Sequence, residues 1–342
     1  MDEFRGQQAF FQLLKMAKDS RFTDPNLNEK RVQYYNECEK ANSVAKPLLS
    51  KIFDKQLVLR DVKLNTGDAN GLRDNLMHHP NLINKLYLDE NGLDGNQLAS
   101  ILEGLGYQKQ LLNLTVQGST VNEASVEQIS TMLKRKVPDN LYELHLIHAK
   151  CVWRATDELV KSLRQRNYLR KLSLIESGLN DFSMVNLCEV VRTQKSLHSL
   201  DISWNQLMPY QMRPLLEILQ KNRRLTNLSL AWNNIMEVAN VDDPNYATHV
   251  KEINTMLGKI IKHSRTLIHF NLTGCGLSKE VIFEIGTCLR RSRSVLVIHA
   301  SGNPGLTDEN FDYLPRRVKC RPREDIERFT RISGVVKGVL HG

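Results

Sequence analysis

The sequence contains no long hydrophobic run and no recognisable targeting segment. Hydrophobic residues make up 41% of its 342 residues, but no stretch approaches the roughly 18 consecutive apolar residues that a membrane-spanning helix needs. The chain starts Met-Asp-Glu, without the basic start and apolar run of a secretory signal peptide. We therefore expect a cytoplasmic protein with no membrane association.

Cysteine shows none of the spacings that indicate disulfides or metal sites. There is no Cys-x-x-Cys motif and no terminal cluster among the six cysteines, which are Cys38, Cys151, Cys188, Cys275, Cys288 and Cys320. This pattern favours small core residues in a reducing compartment. A Gly-x-x-x-x-Gly-Lys-Ser/Thr phosphate-binding loop is also absent, so we expect no nucleotide switch in this chain.

What the sequence does contain is an internal repeat. The spacing Leu-x-x-Leu-x-Leu-x-x-(Asn, Cys or small)-x-Leu recurs, and successive units are 28, 30, 28, 28, 28, 42 and 28 residues apart. The first positions of the units are Ile83, Leu111, Leu141, Leu169, Leu197, Leu225, Leu267 and, in a looser form, Val295. A degraded unit near Leu59 precedes them. Such regular self-similarity predicts stacked repeats.

Each unit predicts one strand followed by one helix. In the unit starting at Leu197, Leu200 and Ile202 alternate with polar residues, as on a strand with one buried face. Apolar residues then recur at three- and four-residue steps, as on one face of a helix. Position 9 holds small polar residues such as Asn205, which can satisfy backbone groups where the strand ends. Ala149 cannot do this, so we expect a looser or water-filled turn there.

The segments "LHSLDISWNQL" (197–207) and "LTNLSLAWNNI" (225–235) resemble the ribonuclease-inhibitor-like class of leucine-rich repeats. The resemblance covers about 57–307. It implies an α/β fold of about eight repeats, a curved solenoid with a parallel sheet on its concave face and helices on its convex face. The same class includes inhibitors, GTPase activators, immune sensors and cytoskeletal scaffolds, so it specifies a fold rather than one function.

Three segments depart from the repeat. Residues 1–55 have helical spacing, and we expect a helical cap over the first repeat or a docking helix for a partner. The 42-residue step carries an insertion within 236–252, either a functional loop or a tolerated surface insertion. Residues 308–342 are basic and predict a C-terminal cap or an extension towards a partner.

The concave face follows from the alternation of the strands. Positions 5 and 8 of each unit point away from the helices and carry the predicted contact residues, which are Tyr87, His145, His148, Glu176, Asp201, Trp204 and Trp232. Trp204 and Trp232 occupy position 8 in neighbouring units, so we predict that they lie side by side as the anchor of a contact site. The alternative is that each ring folds over its own turn.

The same rows do not predict catalysis. His145, Ser173 and Asp201 are neighbours at position 5, but a catalytic triad needs the imidazole between the hydroxyl and the carboxylate, and here the serine is in the middle. His145 and His148, with Glu143, make a poor metal site because residues three apart on a strand point to opposite faces. We predict no enzymatic activity, no metal and no cofactor.

The formal net charge of +9 is unevenly placed. Basic residues recur five and two places before the repeat starts. They are Lys136, Arg164, Arg192, Lys262 and Arg290 at the first place, and Lys195, Arg223, Arg265 and Arg293 at the second. Equivalent positions stack about 5 Å apart, which predicts a basic rim. Either this rim steers an acidic partner, or the residues only complement the helix dipoles.

The sequence therefore predicts a non-enzymatic scaffold that binds proteins, and the basic rim favours a partner with an acidic surface. Tubulin tails are such a surface, so a microtubule-associated or ciliary (axonemal) assembly in the cytoplasm is the preferred setting. The alternative is a regulator of an enzyme, such as a small-GTPase activator or a nuclease inhibitor. Nucleic-acid binding through the rim is a weaker alternative because aromatic residues are missing from it.

Overall fold

A computed structural model describes residues 32, 34–36, 38–40, 46–134, 141–151, 153–164, 168–236 and 246–306. The chain forms two compact units, an N-terminal unit Met1–Leu169 and a C-terminal unit Arg170–Gly342. The predicted C-terminal segment 308–342, residues 237–245 of the predicted insertion, residues 1–31 and Lys136 of the predicted rim lie outside the described residues.

The N-terminal unit contains a sheet whose repeat strands are parallel. The strands of this unit are β1 Ile52–Phe53, β2 Gln56–Arg60, β3 Lys85–Asp89, β4 Asn113–Gln117, β5 Thr120–Val121, β6 Glu143–Ile147 and β7 Lys150–Cys151, of which β5 and β7 form a separate pair. Strand β1 pairs antiparallel with β2, and the parallel pairs β2–β3, β3–β4 and β4–β6 continue the sheet. Leu86 aligns with Leu114 and Leu114 with Leu144, so the leucines of position 4 stack across the repeats as predicted.

The C-terminal unit repeats this arrangement. Its strands are β8 Lys171–Ile175, β9 Ser199–Asp201, β10 Asn227–Ser229, β11 His269–Asn271 and β12 Val297–His299. All neighbouring pairs are parallel, and Leu200 aligns with Leu228, which aligns with Phe270. These three side chains are at most 1% exposed. Burying each stabilises the fold by about 1.5–3 kcal/mol, and their stacking confirms the α/β leucine-rich repeat fold.

A helix follows the strand in each repeat from the first to the one that contains β11, and the chain after residue 306 in the last repeat lies outside the described residues. The helices are α1 Thr66–His78, α2 Gly95–Leu105, α3 Glu123–Lys134, α4 Trp153–Leu163, α5 Asp181–Thr193, α6 Pro209–Leu219, α7 Tyr246–His263 and α8 Lys279–Arg291. Several begin after a polar residue at position 12 whose side chain accepts a backbone N–H bond: Asn65, Asp94, Asn122 and Asn180. None of the helices in the described residues combines the length and hydrophobicity that crossing a membrane requires.

Asparagines at position 9 form a buried ladder along the C-terminal unit. The Oδ1 atom of Asn233 accepts hydrogen bonds from the backbone amides of Asn205 and Leu207, one repeat earlier, at 3.2 and 3.0 Å. Its Nδ2 donates to the carbonyls of Ile202 and Leu230, both at 3.0 Å. Asn205 and Asn303 repeat the pattern. Position 9 therefore satisfies backbone groups, as the sequence predicted.

At Ala149, which has no polar side chain, backbone pairing takes the place of the asparagine hydrogen bonds. The turns beside it form the two-stranded parallel ladder of β5 and β7, in which Val121 aligns with Cys151. The structure thus has an ordered backbone ladder where we expected a looser turn, because main-chain groups can pair directly when no side chain lies between them.

The first repeat begins earlier than its leucine pattern indicates. Strand β2 aligns Leu57 with Leu86 and Leu59 with Leu88, so Leu59 occupies position 6 and position 1 is Asp54. The expectation of a unit start near Leu59 is corrected to Asp54, which a leucine-based pattern does not detect.

Described residues of the segment before the first repeat contact helix α1. Tyr34 and Cys38 are buried, and a Cβ atom on Gly71 would lie 2.8 Å from the Cys38 sulfur. Lys46 donates to the carboxylate of Asp68, which is fully buried. These contacts support a cap at 1–55, and the cap remains a prediction for the segment as a whole.

The 42-residue step leaves the strand register intact. Strands β10 and β11 align residue for residue, and α7 has 18 residues where the other helices have 11 to 13. Because α7 begins at Tyr246, residues 246–252 of the predicted insertion are helical. Ile253, Leu257 and Ile261 bury one face of the rest of this helix.

Candidate partner-binding site

The residue at position 8 of every repeat has a left-handed backbone conformation. The φ angles are +61° at Trp204 and +56° at Trp232, and the glycines at the same position have similar values, such as +60° at Gly274. In seven of these repeats the position-8 amide donates to the position-7 carbonyl of the next repeat, as from Trp204 to Ala231 at 3.0 Å. Bulky residues rarely adopt this region, so the ladder of amide bonds holds these two tryptophans in a strained conformation.

This backbone conformation directs each position-8 side chain over the next repeat. The ring of Trp232 lies over Gly274, where an added Cβ would come 2.5 Å from the ring atom Cε3. The carboxylate of Glu90 lies over Gly118 in the same way, with its Oε1 2.4 Å from such a Cβ. Glycine at position 8 therefore makes room for the side chain of the preceding repeat.

Trp204 and Trp232 stack on each other. Their ring centroids are 4.5 Å apart and their planes differ by 18°, which is within the favourable range for offset aromatic pairs. Trp204 remains 46% exposed and Trp232 42% exposed. The predicted adjacency is correct, and the rings extend over the next repeat rather than folding over their own turns.

Hydrogen bonds fix the polar residues beside the tryptophans. The Oδ1 atom of Asp201 accepts from the amide of Ser203 at 3.0 Å and from its hydroxyl at 2.5 Å. The Ser203 hydroxyl also lies 2.7 Å from that of Ser229. Asp201 Oδ2 accepts no hydrogen bond from the described residues, so this carboxylate keeps acceptor capacity towards solvent.

Two histidines meet on the same face, at the far end of the C-terminal unit. The Nε2 atoms of His269 and His299 are 2.8 Å apart, and one ring is tilted 60° to the other. Burial lowers the pKa of both imidazoles, and the neighbouring His299 lowers that of His269 further while Asp201 opposes the shift. Neutral imidazoles can form this contact because one nitrogen donates and the other accepts.

The remaining predicted contact residues lie in both units. Tyr87 and His145 flank Thr115 in the sheet of the N-terminal unit, and His145 Nε2 lies 3.9 Å from a Glu143 oxygen. His148 is exposed in that unit, and Glu176 is exposed in the C-terminal unit. Within the described residues, no group of three or more histidine, cysteine or acidic side chains is placed to hold a metal ion.

The predicted basic rim is exposed along the C-terminal unit. Its exposed members there are Arg192, Lys195, Arg223, Lys262, Arg265, Arg290 and Arg293, and Arg164 is exposed in the N-terminal unit. Arg192, Lys262 and Arg290 lie in the last turns of α5, α7 and α8, where they complement the helix dipoles. Arg192 also pairs with Glu189 at 2.7 Å.

Sequence reasoning missed two residues of this face. Ser203 occupies position 7 and His269 occupies position 3, which the predicted rows did not include, whereas Ser229 lies in the predicted position-5 row. One signal for the unusual backbone was available, because glycine occupies position 8 at 118, 274 and 302. Glycine recurring where other repeats carry tryptophan indicates a left-handed conformation.

Comparison with known proteins gives little further information. No protein-family model matches the chain, and no curated protein matches it. One solved structure that it resembles is an internalin, inlF, from Listeria monocytogenes, at 15% identity, covering 82% of this chain and 90% of that one with a TM-score of 0.30. At this similarity the match supports no shared function, and the leucine-rich repeat assignment rests on this chain's own strand register.

Proposed function

We propose that this chain is a non-enzymatic protein-interaction module whose main contact site is the open face of the C-terminal unit. The open face comprises positions 3, 5, 7 and 8 of the repeats in that unit, on the side of the sheet away from the helices. Its anchor is the stacked pair of Trp204 and Trp232.

The exposed tryptophan stack is the observation that carries this proposal. Tryptophan is the residue most enriched in binding hot spots, and here two lie in contact while more than two fifths of each stays exposed. Core packing does not account for them, because strand residues of positions 4 and 6 fill the core. Backbone hydrogen bonds fix the main chain of both tryptophans and the rings stack on each other before any partner arrives, which lowers the entropic cost of binding.

A peptide selection tests the proposal. A phage-displayed library of random 12-residue peptides is selected on the full chain, and the enriched peptides are then measured on the Trp204→Ala/Trp232→Ala variant. We expect peptides that bind the wild type at least 30-fold more tightly than the variant, since losing a hot spot costs about 2 kcal/mol or more. Tyr210→Ala, which removes an exposed aromatic residue on α6, is the matched control. Peptides that bind all three proteins equally would refute the proposal.

The exposed rim supports a second contact, with an acidic partner. Seven basic side chains at the predicted rim positions of the C-terminal unit are exposed, which favours electrostatic steering. We also propose a microtubule-associated or ciliary setting with tubulin as the partner. The ribonuclease-inhibitor-like subclass is a further proposal, which is supported by the full helices that follow the strands. Association with an acidic tubulin-tail peptide should weaken steeply with added salt, and Arg192→Glu with Arg223→Glu should flatten that dependence. Equal salt slopes for both proteins would contradict steering by the rim.

A further inference from the structure

We propose that the tryptophan stack receives an arginine side chain from an extended segment of the partner protein, with the guanidinium group held between the indole face of Trp204 and the carboxylate of Asp201. This inference rests on the proposed function and specifies the chemistry of the partner at the same site.

The backbone brings two acidic residues beside Trp204. The Glu176 amide donates to the Ser203 carbonyl at 3.0 Å, and the Asp201 carboxylate accepts from the Ser203 amide. Ser203 directly precedes Trp204 in the chain. Both acidic residues are thus connected through one residue to the start of the tryptophan stack, one in the same repeat and one in the preceding repeat.

The stack offers one indole face in the direction of these acids. Trp232 covers one face of Trp204 at a centroid distance of 4.5 Å, and Trp232 in turn lies over Gly274. Each ring therefore extends towards the next repeat, and the other face of Trp204 is on the side of the preceding repeat, where Glu176 lies. Tryptophan is the best aromatic surface for a cation, and carboxylates beside it add direct charge attraction.

The charges of the open face are complementary to a cation. Glu176 and Asp201 are its acidic residues in the described part of the C-terminal unit, and Lys171 is the one lysine or arginine at the four open-face positions there. Lys171 is five residues before Glu176, about 16 Å away at 3.3 Å per residue. His269 and His299 contact each other on strands β11 and β12, two and three strands along the sheet from Asp201. The lysine, arginine and acidic side chains at the described open-face positions nearest Trp204 therefore carry a net negative charge, in contrast to the basic rim.

Arginine fits this arrangement better than lysine does. Its planar guanidinium stacks on an aromatic face while its N–H fork pairs with a carboxylate. Asp201 Oδ1 is occupied by Ser203, and Oδ2 is left to accept from the ligand. A lysine could supply charge but neither the flat surface nor the fork.

Asp201→Asn provides a clean test because the fold already contains its local equivalent. At the same position in a later repeat, Asn271 Oδ1 accepts from the Thr273 amide at 3.0 Å, just as Asp201 does from Ser203. An asparagine at 201 should keep this bond and the strand end, and remove only the negative charge. Glu217→Gln on α6, an exposed carboxylate paired with Arg213, is the matched control for loss of charge.

The experiment uses the peptides selected on the full chain, measured by fluorescence polarisation. We expect them to share an arginine, and replacing it by the neutral isostere citrulline should weaken binding about tenfold or more. Asp201→Asn should weaken the arginine peptide similarly and barely affect the citrulline peptide, while Glu217→Gln should leave both unchanged. Lysine in place of arginine should restore only part of the affinity.

Other outcomes separate the two proposals. Peptides that need the tryptophans but contain no basic residue, or that tolerate citrulline, would overturn the arginine inference and leave the contact site standing. Acidic peptides that need the tryptophans would do the same. If no selected peptide depends on Trp204 and Trp232, the contact site itself fails, and the arginine inference fails with it.

Discussion

Asn233 is the residue at which the stacking of repeats can be tested most sharply for stability. Its side chain is fully buried and bonds to two repeats at once. Replacing it by alanine removes the acceptor for the amides of Asn205 and Leu207. We expect Asn233→Ala to destabilise the C-terminal unit far more than a typical surface substitution.

The size of the effect follows from which groups lose their partners. The carbonyl of Ile202 keeps a hydrogen bond from Asn205 Nδ2, and that of Leu230 keeps one from the Cys275 sulfur. Among the residues that the structure describes, the amides of Asn205 and Leu207 have no such second partner, and both residues are buried. An unsatisfied buried donor costs about 1–3 kcal/mol, so two of them should lower the free energy of unfolding by about 2–6 kcal/mol.

Urea unfolding followed by far-UV circular dichroism measures this loss. With a slope of about 2 kcal/mol per molar urea, in the middle of the usual range, the midpoint should fall by roughly 1–3 M. The control is Asn227→Ala, which removes the same side chain from an exposed position on β10 and should change stability by less than about 0.5 kcal/mol. Equal midpoints for the two variants would refute the asparagine ladder as a stabilising element.

Two further predictions concern the open face. Gly274 and Gly302 have φ angles of +60° and +68°. Replacing either glycine by alanine should lower the free energy of unfolding by about 1–2 kcal/mol, because alanine is strained at such angles. Only Gly274→Ala should also abolish the exciton signal of the stacked indoles in circular dichroism, because its Cβ comes 2.5 Å from the ring, against 3.6 Å at Gly302; equal signals would contradict this packing. Burial lowers the pKa of His269 and His299 below 6.5, so the unfolded chain binds more protons below that pH and stability should fall between pH 7 and 5.5. His299→Gln should flatten that fall, and an unchanged pH dependence would argue against the histidine pair.

The sequence was sufficient to predict the register of the repeats. Leucines 28 apart, such as Leu200 and Leu228, align across neighbouring strands, and the same spacing correctly predicted that Trp204 and Trp232 are in contact. These predictions succeed because a stacked repeat converts a fixed separation along the chain into lateral contact. The 42-residue step did not disturb them, since strand pairing depends on the leucines and not on the connection.

The features that the sequence did not reveal involve contacts between residues at different repeat positions, or between backbone atoms. His269 at position 3 meets His299 at position 5 of the next repeat, a diagonal contact that lists of equivalent positions do not contain. The first repeat starts at Asp54, where no leucine signals it. The strand ends at 121 and 151 pair through backbone atoms, which side-chain patterns cannot predict. The proposed role of Asp201 depends on its hydrogen bonds to Ser203, a local geometry that the repeat pattern does not indicate.

The measurement that tests the central claim most directly is the NMR spectrum of the indole N–H groups, recorded on the ¹⁵N-labelled full chain with and without a selected peptide. If the stacked tryptophans are the contact site, the resonances of both Trp204 and Trp232 should move on titration, and the movement should saturate at the dissociation constant measured by fluorescence polarisation. Saturated binding with both of these resonances unmoved would contradict the account.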